Sequence, residues 1–382
     1  MKKIKTAIVG TGFMGKVHTE NVRRVPGVEV AAVVGSRPET AQKFADAMSI
    51  PFATANLQDV LTDKTIAAVH ICTPNVDHFP QSLAALEAGK AVLCEKPMTM
   101  SVDEARQLVN AAKERNAVTA VQHNLRYYPV LQQVRQMIRR GDLGEILIAQ
   151  GTYSQDWLLY DTDWNWRIDT KENGQLRVMG DIGSHWMDMV QHLTGLSITA
   201  VCAELATFHK TRKQPKGSVE TFSGKKAQAG DYTEFPVDSD DFGAVLIHLG
   251  DRACGAFTVS QMSAGRKNRF FFEIFGTKSG IAWNQEEPDT LWIGQRNEPN
   301  RIIVKDASLF YPEAAKFADL PGGHSEGYDD SHKQVFKNFY ARVADPSVAV
   351  DYPTFEDGLK GMILLSKVAE SASGKKWVDT GF

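Results

Sequence analysis

Residues 7–18 read AIVGTGFMGKVH, an apolar run that breaks into glycines at Gly10, Gly12 and Gly15. In a G-x-G-x-x-G that follows a strand and opens a helix, each glycine has a physical task. These are a tight turn, close approach of backbone to a pyrophosphate, and close packing of helix on strand. The helix N-terminus behind the glycines attracts the negative charge. Phe13 and Met14 stand between the second and third glycines and belong to the same cradle. Alone the motif is weak, because a glycine turn with no ligand has the same spelling. Its surroundings decide.

Working outward, the first 122 residues alternate two patterns. IKTAIVG (4–10), VEVAAVV (28–34), IAAVHIC (66–72), AVLCE (91–95) and AVTAVQ (117–122) are continuous β-favouring runs, as expected of parallel strands buried on both faces. Between them lie amphipathic stretches at 14–25, 38–48, 77–88 and 102–115. The last opens on a capping box, Ser101 with Glu104, and the one before it is closed by Gly89. Such alternation predicts right-handed crossovers and a doubly wound parallel sheet of the Rossmann type, with ligands beyond the carboxyl ends of the strands. The pattern changes after QHNLRYYP (122–129). A helix at 129–140 leads into segments of alternating or β-branched character at 145–154, 198–207, 242–249, 253–262, 269–275 and 290–293. A helix over 354–373 and a last strand in KKWVD (375–379) follow. The reading is an α/β protein of two domains. Residues 1–123 form a nucleotide-binding domain, and 124–382 an α+β domain with a large, mostly antiparallel open sheet. The polar, basic stretch 209–235 reads as a long surface loop or loose hairpin with solvated lysines.

Composition agrees with two soluble domains. At 382 residues the chain exceeds the ~100–200 of a single domain. A net charge of −3, with no basic stripe interleaved with aromatics, lacks the electrostatic footprint of a nucleic-acid or anionic-membrane binder. The apolar run in MKKIKTAIVG is too short for a signal peptide or a membrane span, so a cytoplasmic location is expected. Cys72, Cys94, Cys202 and Cys254 are widely spaced with no C-x-x-C, which argues against a disulfide framework or a zinc knuckle.

The strand ends carry the candidate chemistry. At VVGSRPE (33–39), where an NAD-preferring fold offers an acid to the ribose, Gly35, Ser36 and Arg37 stand instead. A hydroxyl and a guanidinium suit a 2′-phosphate, which favours NADP over NAD. An Arg37 stacked on adenine or lying in solvent leaves NAD open. In CTPNVDH (72–78), Thr73, Pro74, Asn75 and His78 fall at the carboxyl edge. Asn75 reads as a turn residue and a ribose or nicotinamide contact, and His78 as a structural residue or a cofactor neighbour. AVLCEKP (91–97) places Glu95 and Lys96 at another strand tip, with the Lys96 ammonium where a nicotinamide should lie. Pro97 restrains the backbone and is a candidate for a cis bond.

Within MGDIGSHWMDMVQHLTG (179–195), Asp181, His185, Asp188 and His192 recur at helical spacing beside an apolar stripe of Ile182, Trp186, Met189 and Leu193. A carboxylate one turn before a histidine fixes its tautomer and raises its basicity, which suits a general base for a hydroxyl proton. No further ligand cluster completes a metal site, so none is expected. GTYSQDWLLYDTDWNWRIDTKENG (151–174) interleaves rings with polar groups. Tyr153, Gln155, Trp157, Trp166 and Arg167 suit a polyhydroxylated ligand, and core packing or a subunit contact is an equal account of any one ring.

Taken together, GTGFMG, CTPNVDH, CEKP, QHNLRYYP and DIGSHWMD, in this order and spacing, resemble the glucose-fructose oxidoreductase / inositol dehydrogenase / MocA family (Gfo/Idh/MocA). The resemblance covers essentially the whole chain. It implies Lys96, Asp181 and His185 as catalytic residues and Asn124 and Arg126 beside the substrate. The implied chemistry is hydride transfer between NAD(P) and a secondary alcohol or ketone of a sugar, sugar derivative or cyclitol. In it His185 takes the hydroxyl proton, Asp181 orients it and Lys96 stabilises the substrate oxygen. A homodimer or homotetramer through the large sheet is also implied. GTYSQDW, WNWR, FFFEIFGTKSG and GHSEGYDDSHKQVFKNFY look most like the branch of levoglucosan dehydrogenase and related sugar 3-dehydrogenases. There His324, Tyr328 and Asp329 either approach the substrate or serve as a helix cap. Two alternatives stay open: cofactor-assisted glycoside modification through a 3-keto sugar, and a noncatalytic nucleotide-binding sensor. Retention of Lys96, Asp181 and His185 together argues against the sensor.

Overall fold

The computed structural model describes residues 3–216 and 232–382. Residues 217–231, the middle of the polar stretch at 209–235, lie outside the described residues. The chain forms two units.

The first unit comprises Met1–Asn124, Lys171–Gly174 and His332–Met362. Its strands are β1 (Ile4–Val9), β2 (Val28–Val34), β3 (Phe52–Thr54), β4 (Ile66–Ile71), β5 (Ala91–Cys94) and β6 (Thr119–Val121). They pair in parallel in the order β3-β2-β1-β4-β5-β6. The interleaved helices are α1 (Phe13–Val22), α2 (Pro38–Met48), α3 (Leu57–Leu61), α4 (Asn75–Glu87) and α5 (Val102–Glu114). The order reverses direction at β1 and β4, and a doubly wound sheet binds its ligand at that switch point. Local chemistry fixes the helix ends. At α5 the Ser101 hydroxyl accepts the Glu104 N–H while the Glu104 carboxylate accepts the Ser101 N–H, both at 3.2 Å. Val9, Val33, Val69, Val92 and Val121 from five adjacent strands are all buried, which is why these runs read as continuous rather than alternating.

The second unit comprises Leu125–Thr170, Gln175–Ser331 and Ile363–Phe382. Strands β7 (Ile146–Ser154), β8 (Ile198–Ala206), β11 (Phe242–Leu249), β12 (Ala253–Ser260), β13 (Arg269–Gly276), β14 (Gly280–Asn284), β15 (Thr290–Gly294), β16 (Arg301–Val304) and β17 (Val378–Asp379) build one sheet. Its order is β16-β15-β14-β13-β7-β12-β11-β8-β17. Among the described residues, the β7–β12 pairing alone is parallel in this sheet. Strands β9 (Thr211–Pro215) and β10 (Tyr232–Pro236), at the two ends of that polar stretch, pair antiparallel. Helices α6 (Pro129–Arg139), α7 (Thr170–Asn173, mostly in the first unit), α8 (Ser184–Thr194), α9 (Pro312–Ala315), α10 (Tyr328–Ala344) and α11 (Phe355–Gly374) complete the chain, the last two running through both units. The stripe predicted on α8 is buried: Trp186 stacks on Phe257 of β12 with ring centroids 4.3 Å apart.

The domain division expected at 123/124 is a single cut, and the structure departs from it. Residues 171–174 and 332–362 return to the first unit because they complete its hydrogen bonds and its core. The Val121 N–H at the edge strand β6 donates to Pro353 O at 2.9 Å, and Tyr340 stacks on His70 of β4.

Two consequences are measurable. Inside the second unit Asp241 is fully buried between Arg177 and Arg212, the latter at 2.9 Å, while the neighbouring Asp240 accepts the backbone N–H groups of Arg177 (2.6 Å) and Met179 (2.8 Å). Removing one partner of a buried ionic cluster leaves uncompensated charge, so Asp241→Asn should cost about 3–5 kcal/mol in denaturant unfolding. A loss within the error of a surface substitution would refute that ionic account. In the first unit, burial pushes His70 well below the ordinary imidazole pKa and takes His332 down to about 3. The unfolded chain then binds protons that the folded one does not, so stability is full above about pH 6.5 and falls as the pH drops toward 3. Each histidine contributes at most about 1.4 kcal/mol per pH unit. Denaturant midpoints measured from pH 7.5 to pH 5 should therefore decline, and His332→Gln should flatten the decline.

Candidate active site

The nucleotide half of the site is built of backbone. Gly10 has φ +109°, and a Cβ there would sit 2.5 Å from Cys72 O at the end of β4. A Cβ on Gly15 would sit 2.1 Å from Gly10 O. At Gly12, by contrast, a Cβ would meet nothing within 4 Å, so the loop is open on the side where a phosphate would approach. The first turn of α1 holds no acidic residue and its N-cap makes no side-chain hydrogen bond, which leaves its end to an anion. Phe13 is exposed and Met14 half-buried in this loop. These features fit a dinucleotide.

At the tip of β2, Ser36 and Arg37 are exposed. Thr40 caps α2 by donating its hydroxyl to Arg37 O at 2.8 Å and accepting the Arg37 N–H at 3.3 Å, so the capping uses only Arg37 backbone. At the tip of β4 the Thr73 hydroxyl donates to Gln81 Oε1 at 2.8 Å, and Pro74 precedes α4. Asn75 departs from its expected ribose or nicotinamide contact: it is buried, and its Nδ2 donates to Asn173 O (2.9 Å) and Oδ1 (3.1 Å). His78 has one ring nitrogen 2.8 Å from Pro97 O and the other 2.9 Å from Thr73 O, and burial pulls its pKa below the ordinary range. It staples the β4 tip to the β5 tip, which is the structural role.

At the β5 tip the Lys96–Pro97 bond is cis. Lys96 is half-buried and directly follows Glu95. Glu95, expected at the cofactor, is turned inward instead. Its Oε1 pairs with His18 Nε2 at 2.9 Å and its Oε2 accepts the Lys96 backbone N–H at 3.2 Å. Burial alone would raise this carboxyl, but the His18 hydrogen bond and nearby charge outweigh burial and hold it at about 2. Cys94 on the same strand is the opposite case: burial pushes its thiol up, which makes it inert. All four cysteines are free.

In the second unit Asp181 lies in a π-helical turn, Met179–Gly183, that runs directly into α8. Such turns re-aim side chains and recur at functional sites. Asp181 Oδ1 is 3.2 Å from Arg167 Nε, and Oδ2 accepts from Gln261 Nε2 at 2.9 Å. Arg167 in turn lies over the Trp166 ring at 4.5 Å, so Trp166, Arg167 and Asp181 form one cluster. His185 is buried one turn later, its ring 6.3 Å from that of Tyr153. The rest of the polar face expected on this helix is not solvated. Asp188 binds Arg126 through both carboxylate oxygens, with Arg126 Nε to Oδ2 at 2.7 Å, and burial pushes His192 well below the ordinary imidazole pKa.

Arg126 was expected beside the substrate, and the structure commits its fork to Asp188. Asn124 is buried at the start of a 3₁₀ turn, Asn124–Tyr127. Tyr153 and Gln155 also look inward: the Tyr153 hydroxyl (2.9 Å) and Gln155 Nε2 (2.8 Å) both donate to Asn268 Oδ1, and Trp157 Nε1 donates to Gln155 Oε1 at 2.8 Å. Asn268 and Gln261 carried no local signal. They reach the cluster because β13 and β12 flank β7, a pairing made across more than a hundred residues. His324 is exposed, and the Gly327 N–H donates to Asp330 Oδ2 at 2.9 Å, a helix-capping contact. Among the described residues no group of three or more His, Cys, Asp or Glu could hold a metal ion, and no helix is long and apolar enough to cross a membrane.

Comparison with known proteins follows this division. Residues 4–123 match the model for the oxidoreductase family, NAD-binding Rossmann fold, and residues 131–282 match the GFO/IDH/MocA C-terminal domain. Levoglucosan dehydrogenase of Pseudarthrobacter phenanthrenivorans is 28% identical over 99% of this chain and 98% of its own. The solved complex of levoglucosan dehydrogenase with NADH and L-sorbose superposes with TM-score 0.89 at 28% identity, covering 100% of this chain and 99% of the other. An oxidoreductase domain protein from Kribbella flavida superposes with TM-score 0.89 at 26% identity, over 100% of both chains. With its Rossmann sheet, its large mixed sheet and residues 4–123 and 131–282 matched to one family, this chain belongs to the Gfo/Idh/MocA oxidoreductases.

Proposed function

We propose that this oxidoreductase is an NAD(P)-dependent dehydrogenase acting between a secondary alcohol and the ketone of a sugar, sugar derivative or cyclitol. The observation that carries the reading is Lys96 at the carboxyl tip of β5, in the sheet whose β1 tip forms the open glycine loop. A nicotinamide, when bound, supplies or accepts the hydride. Lys96 presents a cation to the substrate oxygen and stabilises its developing negative charge. His185 takes the hydroxyl proton, and Asp181, fixed by Arg167 and Gln261, is the carboxylate that orients it. Trp166 offers a ring face to the C–H side of a sugar. The relatives named for levoglucosan and for glucose 6-phosphate support the substrate class, as does the NADP-dependent scyllo-inositol dehydrogenase of Bacillus subtilis, 30% identical over half of this chain.

For the cofactor the reading leans to NADP, on the exposed Ser36 and Arg37 at the β2 tip. The structural relative that binds NADH pulls the other way, so the choice rests on this one position. The proposal includes a cytoplasmic location and a homodimer or homotetramer joined through the nine-stranded sheet, where Ile148, Leu246 and Ile302 are exposed.

A nicotinamide-absorbance screen of sugars, cyclitols and their 3-keto forms with NAD and NADP tests the reading, with product identification separating simple oxidation from glycoside cleavage. On the best substrate, Lys96→Ala should lower kcat by about 10²–10³-fold. His185→Gln should lower it by about 10²–10⁴-fold. Both variants should still bind NADH, and wild-type turnover in either would remove that residue from the mechanism. Arg37→Ala should raise KM for NADP while leaving KM for NAD nearly unchanged; equal effects would reject the 2′-phosphate contact.

A further inference from the structure

Beneath the strand tips of the first unit lies a line of polar side chains that none of the roles above uses. His18 on α1, His70 on β4 and Tyr340 on α10 lead to Glu95. His18 Nε2 is 2.9 Å from Glu95 Oε1, the Nδ1 atoms of His18 and His70 are 2.8 Å apart, and His70 Nε2 is 2.7 Å from the Tyr340 hydroxyl. None of the four is more than 6% exposed, so water does not share these bonds.

Proton counting gives the line a direction. A carboxylate only accepts, so His18 Nε2 carries a proton. Only one proton fits between two ring nitrogens 2.8 Å apart. With both rings uncharged, His18 Nδ1 accepts, His70 Nδ1 donates, His70 Nε2 accepts and the Tyr340 hydroxyl donates. Every donor then points toward Glu95, whose second oxygen accepts the Lys96 backbone N–H. We propose that Tyr340, His70, His18 and Glu95 are positioning residues, a one-directional hydrogen-bond chain that holds the Lys96 backbone in place by keeping Glu95 ionised.

The groups facing Glu95 allow this. They are His18 from α1, Cys72 after β4, His78 from α4, Cys94 on its own strand, Lys96 beside it and His332 from α10. Burial raises both thiols, leaving them neutral, and pulls His78 and His332 down. The task given to Lys96 rests on the dehydrogenase reading; the proton order does not.

The test uses the full-length protein labelled with ¹⁵N at its ten histidines, with the ring signals assigned through His18→Gln and His70→Gln. At neutral pH, His18 should be protonated at Nε2 and His70 at Nδ1. In Glu95→Gln an amide must serve two donors. If its oxygen stays with the Lys96 N–H, its NH₂ faces His18, and both histidines should switch tautomer. The kinetic arm expects Glu95→Gln to lower kcat about 10- to 100-fold through misplacement of Lys96, with the Kd for NADH unchanged. Tyr340→Phe should lower kcat less, in the same direction. A wild-type His70 protonated at Nε2 overturns the proposal, as do unchanged tautomers or unchanged kcat in Glu95→Gln. The wild-type spectrum needs no variant, so a misfolded Glu95→Gln leaves the proposal open to refutation. If no sugar is oxidised, or if Lys96→Ala turns over normally, the dehydrogenase reading fails while the proton order is still decided by the spectra.

Discussion

The first unit depends on one close approach of backbone to backbone. Gly10 lies against the Cys72 carbonyl, and Gly15 lies against the Gly10 carbonyl. A methyl group at either position would overlap an oxygen, so the tips of β1 and β4 and the start of α1 can converge only because both side chains are absent. That convergence brings the α1 N-terminus to the switch point of the sheet and leaves the face at Gly12 open. With β1 and β4 fixed, β5 pairs on β4 in register Ile71 to Cys94, and Lys96 follows two residues beyond. The candidate lysine is thus placed by a glycine more than eighty residues earlier in the chain.

The second unit holds its candidate carboxylate by charge rather than by close approach. Asp240 accepts the backbone N–H groups that lead into the π-helical turn, and Asp241 neutralises two buried guanidinium groups behind it. Asp181 then projects from that turn toward Arg167 and Gln261, which fix both of its oxygens. An ion pair of this kind contributes little as a source of stability. What it provides is a carboxylate with one orientation, and the role proposed for Asp181 needs that more than it needs binding energy.

Much of this was legible in the sequence. The glycine spacing, the alternation of strand and helix, the capping box at Ser101 and the stripe on α8 are local patterns, and local patterns survive without knowledge of the fold. So did Lys96, Asp181 and His185 as candidates. What stayed hidden is the set of partners that hold them. The sequence offers no sign that Gln261 serves Asp181, that Asn268 gathers Tyr153 and Gln155, or that Asn75 is spent on Asn173, because these pairs lie roughly 80 to 115 residues apart and meet only through sheet pairing and chain return. Glu95 and Arg126 are of the same kind: each has a charged or polar partner drawn from elsewhere in the chain, which no local pattern announces. For the same reason, the single cut between domains missed residues 332–362, whose contribution to the first unit is tertiary.

The polar chain below β5 bears on why such partners are kept. Apolar side chains of similar volume at His18, His70, Tyr340 and Glu95 would avoid the desolvation of a carboxylate, and replacing buried polar groups in this way is often neutral or stabilising. They would pack with Phe336 and Phe339, which already contact these rings. An apolar contact has no preferred direction and slides easily. A hydrogen bond from the Lys96 N–H to a carboxylate that is itself fixed by a ring, and through that ring by a second, confines the backbone in distance and in angle. The strand tip that carries the candidate lysine therefore sits on the most directional part of the core, and the acid sensitivity of neutral buried histidines is the cost of that arrangement.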